Sequence, residues 1–172
     1  FVAEGRLIVA RLLTESPLIT RSVLVTETAR QALGSALAGC PDLPVYVVPQ
    51  AVINGVTGFN LHRGCLAVGE RPAPAAWTDL VEGRRRLVIL ERVGNADNVG
   101  GIFRSAAAFG VDAILLESSC ADPLYRKAIR TSMGAALQIP FARLDVWPAS
   151  LQVLRDRGVA LVAMTPHAPL TL

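Results

Sequence analysis

Apolar residues fall in short runs separated by polar and Gly- or Pro-containing stretches, and their period switches repeatedly between helical and extended spacing. In the segment from Phe1 to Leu13, Leu7, Ile8, Ala10 and Leu12 are spaced compatibly with an amphipathic helix. Ser22 to Thr26 (SVLVT) reads as a short strand. Thr28 to Leu37 is Ala- and Leu-rich, and Gly39 with Pro41 closes it as a helix. Val45 to Val48 reads as a second strand, Ala51 to Val56 as a helical turn, and Gly64 to Val68 as a third strand. This αβαβαβ unit of about 70 residues is small but foldable. Gly69 to Ala76 then carries Pro72 and Pro74 without periodicity, which predicts a semi-rigid linker.

The second half alternates again. The pattern predicts strand 85–93, helix 98–109 closed by Gly110, and strand 113–117. A helix from Asp122 to about Ala136 follows, with Asp122 as its N-cap and Pro123 at the first helical position. Strand 139–144, a helix from Ala149 to Arg157 and a last strand from Val159 to Met164 complete the series. Strand–helix alternation with apolar strands predicts an α/β fold with a parallel sheet covered on both faces. The expected organisation is a small α/β domain over 1–72, a linker over 73–80 and a parallel-sheet domain over 81–172.

Composition narrows this picture. At 52% hydrophobic over 172 residues, global disorder is excluded, and with 5% aromatics the cores must be aliphatic. No apolar run approaches the roughly 18–20 residues of a membrane span. The net charge of +3 is uneven: residues 1–80 hold six Arg against six acids, and residues 81–172 hold ten Arg and Lys127 against eight. Arginine suits forked phosphate contacts, but a GC-rich coding bias explains the same preference, so charge alone says little about nucleic acid. Cys40, Cys65 and Cys120 are too scattered for a zinc site or a disulfide framework and fit a reducing cytoplasm. No signal peptide is read at Phe1.

The stretch from Arg85 to Glu117 is the place to look for chemistry. A strand that enters a Gly/Asn loop opening a helix is how α/β proteins build ligand sites. The loop from Gly94 to Gly101 (GNADNVGG) fails both phosphate-loop patterns on spacing: it is not G-x-G-x-x-G, and Gly101 stands where a Walker lysine belongs. What remains is Asn98 at the helix mouth, where capping explains it as well as function does, and Arg104 six residues on. Between Ile102, Phe103 and Ala106 to Ala108, Arg104 is expected on a largely buried helix, where a charge needs a partner or an anionic ligand. On the next helix Arg126 and Arg130 share a face, with Lys127 beside them. Arg126 and Lys127 read as a solvated face, and Arg130, near Gly134, as the better phosphate contact. His62 and His167 have no partners in sequence, Trp77 and Trp147 read as packing residues, and no Ser-His-Asp, Cys-His or paired-carboxylate constellation is present.

The run from Asn98 to Gly110 (NVGGIFRSAAAFG), with Asn95 and Asp97 before it, resembles the first motif of SpoU/TrmH-type RNA methyltransferases of the SPOUT class. Arg130 to Phe141 (RTSMGAALQIPF) resembles the second. The N-terminal FVAEG, VLVTE, VYVVPQAVINGVTG and GCLAVGERP segments resemble the substrate-binding domain ahead of the catalytic domain in many members, itself similar to kink-turn RNA-binding ribosomal proteins. The resemblance implies S-adenosylmethionine-dependent methylation of a ribose 2′-hydroxyl in structured RNA, rRNA ahead of tRNA, by a homodimer with its active site at the subunit interface. It implies no metal and no membrane. It makes Asn98 and Arg104 the catalytic polar pair, places Arg130, Arg126, Lys127 and Asn95 on the RNA, and puts Thr165 and Pro166 against the cofactor. The family's third motif, which completes the cofactor pocket and the C-terminal knot, is absent before Leu172. The resemblance therefore implies a chain that as it stands closes neither. The alternative is a non-catalytic RNA-binding protein or an inactive truncated paralogue.

Overall fold

In the computed structural model, which describes residues 1–58, 60–61, 64–83 and 86–165, the chain opens on a strand and not on the expected helix. β1 (Val2–Glu4) is followed by Gly5 at φ 94°, a conformation open to glycine, and only then by helix α1 (Arg6–Thr14). Ile8, Val9 and Leu12 form the buried stripe of α1. β2 (Thr20–Val25) comes next. The single helix expected over 28–37 is two short ones, α2 (Glu27–Ala32) and α3 (Gly34–Ala38), divided at Leu33. Thr26 caps α2 by accepting a 3.2 Å hydrogen bond from the Ala29 N–H. β3 (Val45–Val47), α4 (Gln50–Thr57) and β4 (Cys65–Gly69) complete this half.

These strands form a mixed sheet in the order β1-β4-β2-β3. Only β2 and β3 are parallel, with Leu24 opposite Tyr46, while β4 runs antiparallel to both β1 and β2. α5 (Trp77–Leu80) is helical and buries Trp77, within the stretch expected as linker.

The second sheet is parallel throughout, in the order β5-β6-β7. β5 (Leu87–Leu90), α6 (Ala96–Ala108) and β6 (Ala113–Leu116) realise the predicted strand–helix–strand unit. All four residues of the central strand β6 are buried, as a continuous apolar run in a parallel sheet should be. β7 (Phe141–Arg143) and α8 (Ser150–Asp156) follow.

Two expectations fail here. The helix expected over 122–136 is α7 (Arg126–Thr131), a break, and a 3-10 turn at Ala135–Leu137. Asp122 caps a preceding turn instead, accepting a 2.9 Å hydrogen bond from the Leu124 N–H. Met133 and Gly134 both have positive φ, at 56° and 87°, which ends the helix. The expected strand 159–164 is not formed. Val162 and Met164 are 77% and 73% exposed and pair with neither edge of the sheet, so nothing supplies a ladder.

The break after α7 lets the two halves share one core. Leu124, Ile129 and Leu137 are buried in the same cluster as Ala3, Ile8, Val9, Leu12, Val23 and Cys65. Polar ties rim the contact: Ser16 Oγ donates to the Leu137 carbonyl at 2.5 Å, and the Gln138 amide donates to Glu15 Oε2 at 2.6 Å. Arg71 pairs with Asp122 across the same boundary. Among the described residues no helix is long and apolar enough to cross a membrane, and no group of three or more His, Cys, Asp or Glu gathers to hold a metal.

Candidate active site

α6 carries the candidate chemistry, and its start is set by Asn95. Asn95 is extended at φ −87°, ψ 121°, and its side-chain oxygen accepts a 2.8 Å hydrogen bond from the Asp97 N–H. The capping role that explained Asn98 as well as function did thus belongs to Asn95. Asn98 is the third residue of the helix, exposed, with its side chain free of the cap.

The buried face of α6 is Val99, Gly100, Phe103 and Ala106. Phe103 packs edge-on against Phe141, with centroids 5.8 Å apart. The opposite face is open, since Arg104, Ser105, Ala107, Ala108 and Phe109 are all exposed. The sequence reading of a largely buried helix around Arg104 was therefore too strong. Three alanines and an isoleucine imitate a core helix, but only one stripe of it is covered.

Asn98 and Arg104 do not share a cavity. Six residues apart, they lie about 120° apart around the helix. Asn98 lines a cavity of about 570 Å³ with Val88, Val93, Gly101, Ile102 and Ser105. Arg104 lines one of about 380 Å³ with Arg11, Ser132, Met133, Ala135 and Gln138.

The cations of α7 divide into two kinds. Lys127 Nζ lies 2.7 Å from Asp97 Oδ2, and the Thr131 hydroxyl donates to Asp97 Oδ1 at 2.9 Å. The bond from Lys127, then that from Thr131, holds the Asp97 carboxyl below the usual carboxylate range. Arg126 Nη1 lies 3.5 Å from Glu4 Oε2 on β1, an oxygen that is buried and makes no hydrogen bond of its own. Lys127 thus ties α7 to α6, and Arg126 ties α7 to the first sheet. Arg130 and Arg104 are exposed and, among the described residues, pair with no carboxylate.

The carboxyl ends of the second sheet hold a network the sequence did not announce. Glu117, just past β6, accepts hydrogen bonds from the Ser118 hydroxyl at 2.7 Å, the Ser119 N–H at 3.0 Å, the Ser119 hydroxyl and, more weakly, the Arg92 N–H at 3.3 Å. The Ser119 hydroxyl leads these donors in holding the carboxyl down to about 2, against the opposing effect of burial. Arg143, at the end of β7, donates to the carbonyls of Glu117, Ser118 and Cys120 at 3.1–3.2 Å. Ser118 and Ser119 directly after Glu117 were the one available signal, and those residue types alone do not distinguish such a network from an ordinary turn.

Thr165 is exposed. Pro166, His62, His167 and the first residue of the expected strand 85–93 lie outside the described residues. Among the described residues, Arg104 and Arg130 thus leave guanidinium charge exposed on α6 and α7.

Residues 85–171 match the SpoU rRNA Methylase family. An uncharacterized tRNA/rRNA methyltransferase of Mycobacterium bovis is 42% identical over 166 residues, covering 96% of this chain and 57% of that protein. This chain spans little more than half the length of that relative. Among solved structures, an RNA 2′-O ribose methyltransferase superposes with a TM-score of 0.69 at 25% identity, covering 98% of this chain and 64% of the other. An AdoMet-bound rRNA methyltransferase from Sinorhizobium meliloti gives 0.64 at 25% identity, covering 83% and 53%.

Proposed function

The chain belongs to the SpoU rRNA Methylase family, and we propose on that basis that the whole protein methylates a ribose 2′-hydroxyl in structured RNA, rRNA ahead of tRNA, using S-adenosylmethionine. The match over residues 85–171 carries this reading. The relatives' names support it: the M. bovis protein is called a tRNA/rRNA methyltransferase, and one structural neighbour a 2′-O ribose methyltransferase. S-adenosylmethionine supplies the methyl group. Thr165 and Pro166 are assigned to its pocket.

The residues described serve the RNA side. A guanidinium offers hydrogen-bond donors and no acceptor, so Arg104 is assigned to bind the phosphate next to the target ribose and hold the hydroxyl in line, not to remove a proton. Its exposure, and the lack of a carboxylate on it among the described residues, support this role. Asn98 is assigned to hydrogen bonds with the ribose, reached from the neighbouring cavity. Arg130 is assigned to a second phosphate. Arg126, Lys127 and Asn95 are proposed as weaker RNA contacts, because each also holds the protein's own structure. Residues 1–72 are assigned to RNA recognition, 73–80 to the connection and 81–172 to catalysis. The work is placed in the cytoplasm as a homodimer, an assembly favoured by the exposed Phe109 at the end of α6.

The test uses the full-length protein with tritiated S-adenosylmethionine and an unmodified rRNA transcript. Label retained in alkali-resistant dinucleotides is expected, because a 2′-O-methyl group blocks alkaline cleavage. Arg104→Ala should cut transfer by roughly 10²-fold or more while cofactor affinity holds. Label confined to alkali-sensitive nucleotides would mean base methylation and overturn the 2′-O assignment. RNA binding without any transfer would favour the non-catalytic alternative.

A further inference from the structure

The cavity of about 380 Å³ beside Arg104 has a wall that the catalytic half does not supply. Arg11 of α1 reaches it from the first half and faces it together with Arg104. Arg11 is not a loose surface cation. Its Nη1 donates a 2.7 Å hydrogen bond to the Met133 carbonyl, on the residue whose φ of 56° ends α7. That bond spends one of the five guanidinium N–H donors. The carboxylate beside Arg11 is Glu15, 3.8 Å from its Nε, and that carboxylate also takes the Gln138 amide at 2.6 Å. Two guanidinium charges against one shared carboxylate leave the cavity electropositive. Ala107, Ala108 and Ala135 line it with small side chains, and the volume is in the range that accepts a nucleotide-sized group.

We propose that Arg11 and Arg104 together grip one phosphodiester of the substrate RNA, so that a side chain of the first half positions the RNA at the site on α6. The inference rests on the RNA-methylation reading above for its ligand and adds Arg11 to it as a positioning residue. A planar guanidinium fork is suited to phosphate oxygens. One already fixed by a backbone carbonyl loses less freedom on binding than a mobile one. The same bond ties the RNA grip to the packing of the two halves, because Met133 lies just past the Ser132 cap of α7.

The experiment measures affinity of the full-length protein for an unmodified rRNA transcript across a salt series. Each lost phosphate contact should reduce the slope of log affinity against log salt by roughly 0.7–0.9. Arg11→Gln keeps a donor for the Met133 carbonyl but no charge, and it is expected to lose that increment. Arg11→Lys keeps the charge and should restore most of it. An unchanged slope in Arg11→Gln, or equal loss in both variants, would mean that Arg11 only holds Met133, and would overturn the proposal. Methyl transfer by the wild-type protein, measured alongside, separates the two readings. Transfer with an Arg11-independent slope sinks this inference alone, and an Arg11-dependent slope without transfer sinks the enzyme reading alone.

Discussion

Gly100 of α6 lies so close to Ala128 of α7 that a β-carbon on the glycine would stand 2.6 Å from the Ala128 carbonyl oxygen. It would also meet Thr131 Cβ at 2.9 Å and the Ser132 nitrogen at 3.0 Å. Two of these three are backbone atoms that no rotamer change can move. The absent side chain is what lets the two helices touch, and with them Asp97, Lys127 and Thr131. Gly100→Ala therefore gains about 1 kcal/mol of helix propensity but meets an overpacking cost of about 1–3 kcal/mol, and a net loss is expected. Gly101→Ala is the control, because its β-carbon would meet nothing within 4 Å, and it should gain about 0.5–1 kcal/mol. Urea unfolding of both variants checks this; equal effects would show that the α6–α7 crossing is not the constraint.

Glu117 gives the fold an acid limb. Folding lowers its carboxyl from an ordinary value of about 4.3 to about 2, through the Ser119 and Ser118 hydroxyls and two backbone N–H groups. The unfolded chain therefore takes up the proton first. The stabilisation is complete above about pH 4.3 and drains as pH falls toward about 2. Glu117→Gln should lower the melting temperature most at pH 5 and above, with the gap to wild type closing between pH 4 and pH 2. A gap independent of pH would mean that the carboxylate is held by shape and not by its charge.

How far the sequence could be read follows from these same residues. Short apolar runs between turn signals located β6 well, because a parallel strand buried on both faces needs no partner-specific pattern, whereas β5 is the shorter Leu87–Leu90 inside the expected strand 85–93. α6 was legible too, but it starts at Ala96, two residues before the expected start at 98: Asn95 and Asn98 are both good caps, and only the backbone at Asn95 decides between them. The break at Met133 was hidden because methionine is an unusual residue to carry positive φ, and the contact that accompanies it, Arg11 on the Met133 carbonyl, spans 122 positions of chain. Phe1 to Leu13 failed for the opposite reason. Its apolar spacing was helical only after Gly5, and strand β1 exists through antiparallel pairing with the distant β4, Val2 opposite Val68 and Glu4 opposite Leu66. Of the candidate cations, the sequence could name Arg104 and Arg130 but could not see that Lys127 and Arg126 were already engaged by Asp97 and Glu4.

Cys65 should be chemically silent in the folded protein. Burial pushes its thiol up to about 12, with Arg6 pulling only weakly the other way. Cys40 is half-buried on the surface, and Cys120 is buried with its Sγ donating to the Leu90 carbonyl at 3.2 Å. Iodoacetamide at pH 8 is expected to label Cys40 first, and to reach Cys65 and Cys120 only after denaturant is added. Peptide mass mapping reads the order. Early modification of Cys65 would show that the first sheet opens locally below global unfolding.

The shared core predicts that the two sheets unfold together. Ile129, fully buried, lies in one cluster with Ile8, Val9, Leu12 and Val23, although it belongs to α7 and they belong to α1 and β2. Leu124 and Leu137 reinforce the same contact, so the first sheet does not close its core with its own side chains alone. Ile129→Ala removes three methyl or methylene equivalents from that contact and should cost about 2–5 kcal/mol. If the halves are coupled, the loss appears at both ends of the molecule. Amide exchange should speed up by the same factor at Val23 and Val25 of β2 and at Ile114 and Leu115 of β6. Independent halves would confine the change to β6 and its neighbours, leaving β2 protected as before. Coupled unfolding would also mean that a substitution at Arg11 is felt across the same contact, which is why its RNA test is read from a charge-dependent slope and not from stability.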